Sequence, residues 1–166
     1  MKTTHDDKSL VGLAGEYHVL AQLAERGIMG ALTLGHTKGI DILAHNPRAG
    51  TIRKVEVKTT REKPALARLW HHGNKVYSWT MSEKHESLKD KNLVFCFVHL
   101  TGPKSSPSIF VVPADVVADY VNWEHQLWLR SGKDGPRPAR PENKMRRFRI
   151  EEADPKGYQE NWALFE

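Results

Sequence analysis

Three carboxylates and one amine recur at intervals that can bring them together: Glu16, then Asp41 in Gly39-Ile40-Asp41, then Glu56 and Lys58 in Val55-Glu56-Val57-Lys58. Carboxylate oxygens are hard ligands that suit Mg²⁺, an ion that keeps several waters and bridges readily to phosphate. An amine beside them can orient a water or neutralise charge that develops in a transition state. The chemistry such a set supports is phosphodiester hydrolysis, which needs an activated water, charge neutralisation at the phosphoryl group and help for the leaving oxygen. The plainer reading is a solvated strand face, because a single Glu-x-Lys occurs by chance in many proteins.

These residues need elements that carry them to one place. From Ser9, a good N-cap, the residues Leu10, Leu13, Tyr17, Leu20 and Ala24 repeat at helical spacing, and Gly27 is placed to end the helix. On a helical wheel Glu16 lies roughly 80° from the centre of that apolar stripe. It should therefore stand at the rim of the buried face, and Gly15 beside it permits close backbone approach. Three strands are expected next, over Ala31–Gly35, Ile40–His45 and Thr51–Thr60. Asn46-Pro47-Arg48-Ala49-Gly50 is a turn signal, and links this short make an antiparallel meander. In the third strand Glu56 and Lys58 share a face opposite Val55 and Val57, since side chains alternate with period two. Asp41 likewise faces away from Ile40 and Ile42.

Further along, Ser82–Asp90 reads as a short polar helix capped by Ser82, although residues 61–92 carry few signals. Leu93–Leu100 is nearly continuous in apolar residues, the pattern of a central strand buried on both faces. A short strand over Ile109–Val112, a helix over Pro113–Leu129 and a late edge strand over Met145–Ile150 complete the reading. No repeat or second domain is visible: residues 1–166 form one unit, with a core over about 9–100 and a helix and basic extension over about 101–166.

Composition is that of a globular protein able to bury a core without staples: 166 residues, 39% hydrophobic and 27% charged. The lone Cys96 cannot form an internal disulfide and sits in an apolar run, as a buried small hydrophobe does. No apolar stretch approaches about 18 residues, and no secretory signal is evident, so a cytoplasmic protein without membrane contact is expected. The net charge of +5 is concentrated. Residues 1–129 carry +3, residues 130–149 carry +6 and residues 150–166 carry −4. A cationic stretch of this kind suits a phosphate backbone, or is simply a charged loop.

With Glu16 on a helix, Gly39-Ile40-Asp41 in the second strand and Glu56-Val57-Lys58 in the third, the chain resembles the PD-(D/E)xK nuclease superfamily. It looks most like the small branch typified by archaeal Holliday-junction resolvases. The likeness covers roughly residues 9–100, and Ile40 stands where the family's leading proline would be. It implies an α/β fold with a restriction-endonuclease-like αβββαβ core and a mixed central sheet flanked by helices. It also implies a Mg²⁺-dependent DNA endonuclease in which Mn²⁺ can substitute and no small-molecule cofactor is used. By this resemblance Asp41 and Glu56 are the principal metal ligands, joined by the Val57 carbonyl. Glu16 would serve a second ion or a water on the first, and Lys58 would assist the attacking water. Small cores of this kind pair to reach both strands, so a homodimer is expected.

Lys38, Thr60, Arg146, Arg147 and Arg149 are candidate contacts to nucleic acid, with solvated loop lysine, strand packing and a wet strand face as the plainer alternatives. His71-His72 makes a poor metal pair, because adjacent residues on a helix or strand point apart and no cysteine lies near. The Trp162–Phe165 tail is an apolar patch that docks either on its own chain or across an interface. Two other functions fit the same residues: a nucleic-acid-binding module without chemistry, and a structural protein whose carboxylates only form ion pairs.

Overall fold

Every residue from Leu93 to His99 is buried, and this strand organises the molecule. The computed structural model describes residues 8–34, 39–67, 72–132, 137 and 143–166. In chain order the elements are α1 (Lys8–Glu25), β1 (Met29–Leu32), β2 (Ile42–Asn46), β3 (Thr51–Thr60), β4 (Ala65–Leu66) and β5 (Lys75–Ser82). A 3₁₀ turn (Glu83–Ser87) follows, then β6 (Leu93–His99), β7 (Ser108–Pro113), α2 (Ala114–Arg130), β8 (Met145–Glu151) and a second 3₁₀ turn (Trp162–Phe165).

The strands form two sheets. The larger runs β1-β2-β3-β6-β7 and the smaller β4-β5-β8. β1, β2 and β3 make the antiparallel meander expected from their short links, and β3 then pairs parallel with β6, so the main sheet is mixed. Alternation along β3 and β6 serves two cores. Val55, Val57, Val94, Cys96 and Val98 meet Val19 and Leu23 of α1 on one face, closed by Trp162 and Phe165. Phe95 and Phe97 meet Trp79, Phe148, Val117 and Val121 on the other. The C-terminal patch therefore docks on its own chain, where Phe165 O also accepts a hydrogen bond from Asn46 at 2.9 Å.

Three features differ from the sequence reading. Between β3 and β6 stand two strands and a 3₁₀ turn instead of one helix, and the second α-helix follows β7, so an αβββαβ order is not what this chain displays. The late edge strand expected over Met145–Ile150 is present as β8, but its antiparallel pairing with β5 is non-local, joining Val76–Ser82 to Met145–Glu151, and the partner is not legible in either segment alone. Second, Ser9 lies inside α1 rather than at its N-cap, whereas Gly27 ends the helix as expected: φ is +73°, and Ile28 N–H reaches back to Leu23 O at 3.0 Å. Third, α1 is rotated. Leu10, Leu13 and Tyr17 are 63%, 37% and 57% exposed, while Gly15, Val19 and Leu23 are buried. Closest approach decides the rotation, since a Cβ on Gly15 would fall 1.9 Å from Thr59 Oγ1 and only the missing side chain lets the helix settle on β3. Among the described residues no helix is long and apolar enough to cross a membrane.

The contact is testable. Gly15→Ala is expected to lower stability by about 1–3 kcal/mol through overpacking. Thr59→Ala in the same chain should recover part of that loss in urea unfolding.

Candidate active site

β3 carries the centre of the site. Its pairing with β2 ends at Ile42–Val55, and there the Asp41 side chain takes over from the strand. Asp41 N–H still donates to Val55 O at 2.8 Å, while Asp41 Oδ2 accepts the Val57 N–H at 2.7 Å. A residue's N–H and C=O leave a strand from the same edge. The Val57 carbonyl accordingly emerges on the Asp41 side. Asp41 is held in turn by Thr33, whose N–H donates to Asp41 O at 2.9 Å and whose hydroxyl donates to Ile40 O at 2.6 Å.

Glu56 is buried, with 1% of its surface exposed. Its Oε1 accepts from Lys58 Nζ at 2.7 Å and from His85 Nε2 at 3.0 Å, with Lys84 Nζ at 3.9 Å. Its Oε2 is buried and has no hydrogen-bond partner among the described residues. That oxygen is turned towards the Gly39–Asp41 segment: a Cβ at Gly39 would lie 3.3 Å from it, and Gly39 also has φ of +78°. Glycine is required at that position on both counts.

Electrostatics divide the three carboxylates. Burial alone would push Glu56 up, but the His85 hydrogen bond and the charge and hydrogen bond of Lys58 outweigh it and hold the carboxyl at about 2. Asp41 is raised, first by burial and also by the Glu56 charge, against the opposing Val57 N–H and Lys58. Glu16 is raised by burial and then by the charge of Asp41, which places the α1 carboxylate near the strand site. The structure thus brings Glu16, Asp41, Glu56, Val57 and Lys58 into one neighbourhood. Among the described residues, however, no three His, Cys, Asp or Glu side chains converge on a ready-made metal position. The donor set still fits a hard cation, because an unpartnered buried carboxylate oxygen and two carboxyls disfavoured as anions are groups a cation would relieve.

A cleft of about 560 Å³ adjoins Lys58, bounded by Lys8, Thr60, Arg61, Ser78 and Thr80. Thr60 lines it and accepts the Glu62 N–H at 3.2 Å. Lys38 lies outside the described residues. The arginines of β8 are divided by their partners. Arg146 is buried, donates to Glu86 and also to the Asn143 and Met145 carbonyls, and Arg149 donates to Glu124. Both guanidinium groups are therefore occupied by internal carboxylates. Arg147 shares a sheet face with Thr80, its register partner, and forms no ion pair with a described residue. Sequence reading missed His85 altogether. The signal lay in Ser82-Glu83-Lys84-His85, where the histidine stands in the position of the Glu or Gln of a capping box.

No protein-family model matches the chain, and no curated protein matches it at a significant level. Among solved structures the chain is similar to the bacterial homing endonuclease I-Ssp6803I, with a TM-score of 0.54 over 95% of this chain and 92% of that one. Identity is 16%, so the likeness is one of fold. This chain has a mixed α/β fold that resembles the fold of that endonuclease.

A depressed carboxyl stabilises the folded state above its unfolded pKa, and that stability is lost as pH falls through the folded value. For Glu56 the window runs from 4.5 down to about 2. The contribution at neutral pH is on the order of 3 kcal/mol. Glu56→Gln should be less stable than the unaltered protein at pH 7, and the gap should close towards pH 2 in denaturant unfolding followed across that range.

Proposed function

We propose that this protein is a metal-dependent DNA endonuclease that hydrolyses phosphodiester bonds at the Asp41–Glu56–Lys58 site, in the manner of the PD-(D/E)xK enzymes. The observation that carries the reading is the junction of β2 and β3. There Asp41 is tied to the Val57 N–H, the Val57 carbonyl emerges beside it, and Glu56 Oε2, unpartnered among the described residues, is turned towards the same segment. The nuclease fold supports it independently.

Asp41, Glu56 and the Val57 carbonyl would hold Mg²⁺ or Mn²⁺, with Glu16 serving a second ion or a water. The ion supplies Lewis-acid polarisation of the phosphate and neutralises its charge. The chain's own part is positioning. Lys58 lies between Glu56 and the cleft, where its ammonium can orient the attacking water and offset charge building on phosphate oxygens. Lys8, Arg61 and the hydroxyls of Thr60 and Thr80 border that cleft and suit a sugar-phosphate strand. Arg147 extends the same face. The proposal includes a homodimer, for which the exposed Leu10, Leu13 and Tyr17 of α1 supply an apolar surface. Sedimentation at micromolar protein, with Tyr17→Lys as the weakened variant, tests that element.

A second reading is favoured by the absence of three converging ligand side chains among the described residues. In it the chain binds nucleic acid without cutting it, and Glu56, Lys58 and His85 form a structural ion-paired cluster.

Cleavage of labelled duplex, branched and single-stranded DNA in Mg²⁺, Mn²⁺ or EDTA decides between them. Cutting should require a divalent ion and fall by at least 100-fold in Asp41→Asn and Lys58→Ala. Salt-sensitive DNA binding with no cutting on any substrate would favour the second reading.

Asp41→Asn carries a further expectation. A raised carboxyl makes the anion a cost to the fold above its ordinary pKa of 3.8, and asparagine removes the charge while keeping an acceptor for Val57 N–H. At pH 7 without metal this variant should melt no lower than the unaltered protein. The rise in melting temperature that Mn²⁺ gives the unaltered protein should disappear.

A further inference from the structure

We infer that His85 is a positioning residue for the proposed site: its hydrogen bond to Glu56 Oε1 keeps Oε2 turned towards the Gly39–Asp41 segment and leaves Lys58 able to serve the substrate. The inference rests on the nuclease reading above and concerns a residue that the four-residue set does not contain.

Local sequence orients the imidazole. His85 is at the third position of the Glu83–Ser87 3₁₀ turn, whose N-cap is Ser82. Its Nδ1 receives the Ser82 backbone N–H at 3.0 Å and lies 3.1 Å from Ser82 Oγ. The Ser82 carbonyl is also 3.0 Å from Nδ1 and accepts from it whenever Nδ1 is protonated, in the doubly protonated ring or in the neutral Nδ1–H tautomer. The latter would set a bare Nε2 lone pair 3.0 Å from the Glu56 carboxylate, which disfavours it. In the neutral ring that accepts from Ser82, and in the doubly protonated ring alike, Nε2 bears a proton and donates it to Glu56 Oε1 at 3.0 Å. The ring is 2% exposed and packs edge-on against Phe95, with centroids 5.8 Å apart, so it has no solvent position to swing into.

Two donors on one oxygen divide the work. Lys58 Nζ also binds Oε1, at 2.7 Å. In any step where Lys58 turns to a water or a phosphate oxygen, Oε1 would be a buried anionic oxygen stripped of its nearest donor, an expensive state. The His85 bond remains and covers it. Lys84, at 3.9 Å and more than half exposed, is a weak substitute. The same bond keeps the carboxylate from rotating Oε1 and Oε2 past one another. Outer groups that orient a ligand in this way typically change metal affinity or activity 10–100-fold when removed.

The test compares His85→Leu with His85→Gln in the full chain, two side chains of similar volume of which only glutamine donates. Mn²⁺ binding is read by electron paramagnetic resonance titration, DNA cleavage as separate kcat and KM, folding by circular dichroism, and the imidazole protons of the unaltered protein by long-range ¹H–¹⁵N NMR. His85→Leu should bind Mn²⁺ about 10–100-fold more weakly and lose kcat with KM for DNA nearly unchanged. His85→Gln should recover most of both, and the spectrum should show a proton on Nε2. Equal behaviour of the two variants, or a neutral ring protonated only on Nδ1, overturns the inference even where a variant folds poorly. Unaltered protein that neither binds Mn²⁺ nor cuts DNA ends the nuclease reading and this inference together. Unaltered protein that does both, with His85→Leu matching it, ends this inference alone.

Discussion

Burial of the Glu56 carboxylate is the constraint around which the rest of the structure is arranged. An ionised carboxyl withdrawn from water is costly unless charge and hydrogen bonds replace its hydration. Here the replacement comes from two directions along the chain. Lys58 is two residues on and shares the strand face by simple alternation, while His85 arrives from a 3₁₀ turn 29 residues away. The β5 strand and its turn are thereby tied to β3 by a polar contact, while Trp79 and Met81 of β5 pack with Phe95 and Phe97 of the neighbouring β6. Among the described residues one oxygen is satisfied and the other is not, and that asymmetry is what gives the site its direction.

The strand that bears Glu56 is also the structural hub. β3 pairs with β2 on one edge and β6 on the other, receives α1 on its valine face and faces the second sheet through its polar residues. Rigid placement follows, since β2, β6, α1 and the turn bearing His85 hold β3 on its edges and faces. Gly15 and Gly39 act at two points where a side chain would spoil the approach, one beneath α1 and one beside Glu56 Oε2. Each lies next to or two residues from a candidate ligand, so the backbone freedom of glycine is used where the site needs closeness.

Charge on paper and charge on the surface diverge in the basic segment. Residues 130–149 carry +6 in the sequence. In the structure Arg146 and Arg149 are taken up by Glu86 and Glu124, Lys144 pairs with Glu83 at 3.1 Å, and Arg137 stacks over Trp128 at 4.5 Å. The described cations beside the site come instead from the start of α1, the end of β3 and the turn after β5, among them Lys8, Lys58, Arg61 and Lys84. A formal excess in one segment says little about where a nucleic-acid strand would lie, because partners from distant elements neutralise part of it.

Local periodicity determined much of this protein without help. The meander, the face shared by Glu56 and Lys58, the doubly buried Leu93–His99 strand and the Gly27 helix stop all follow from alternation, turn chemistry and a run of apolar residues. So does the bond of the Asp41 carboxylate to the β3 backbone at Val57 across a short turn, since it needs only the hairpin register. Tertiary structure alone decided the remainder. The rotation of α1 depends on Gly15 meeting Thr59, a contact 44 positions apart that outweighs the helix's own apolar stripe. The second sheet depends on β5 finding β8 some seventy residues later, and His85 enters the site only because that sheet carries its turn over β3. Such contacts arise from closest packing and from the need to pair buried charge, and neither force is written in the spacing of neighbouring residues.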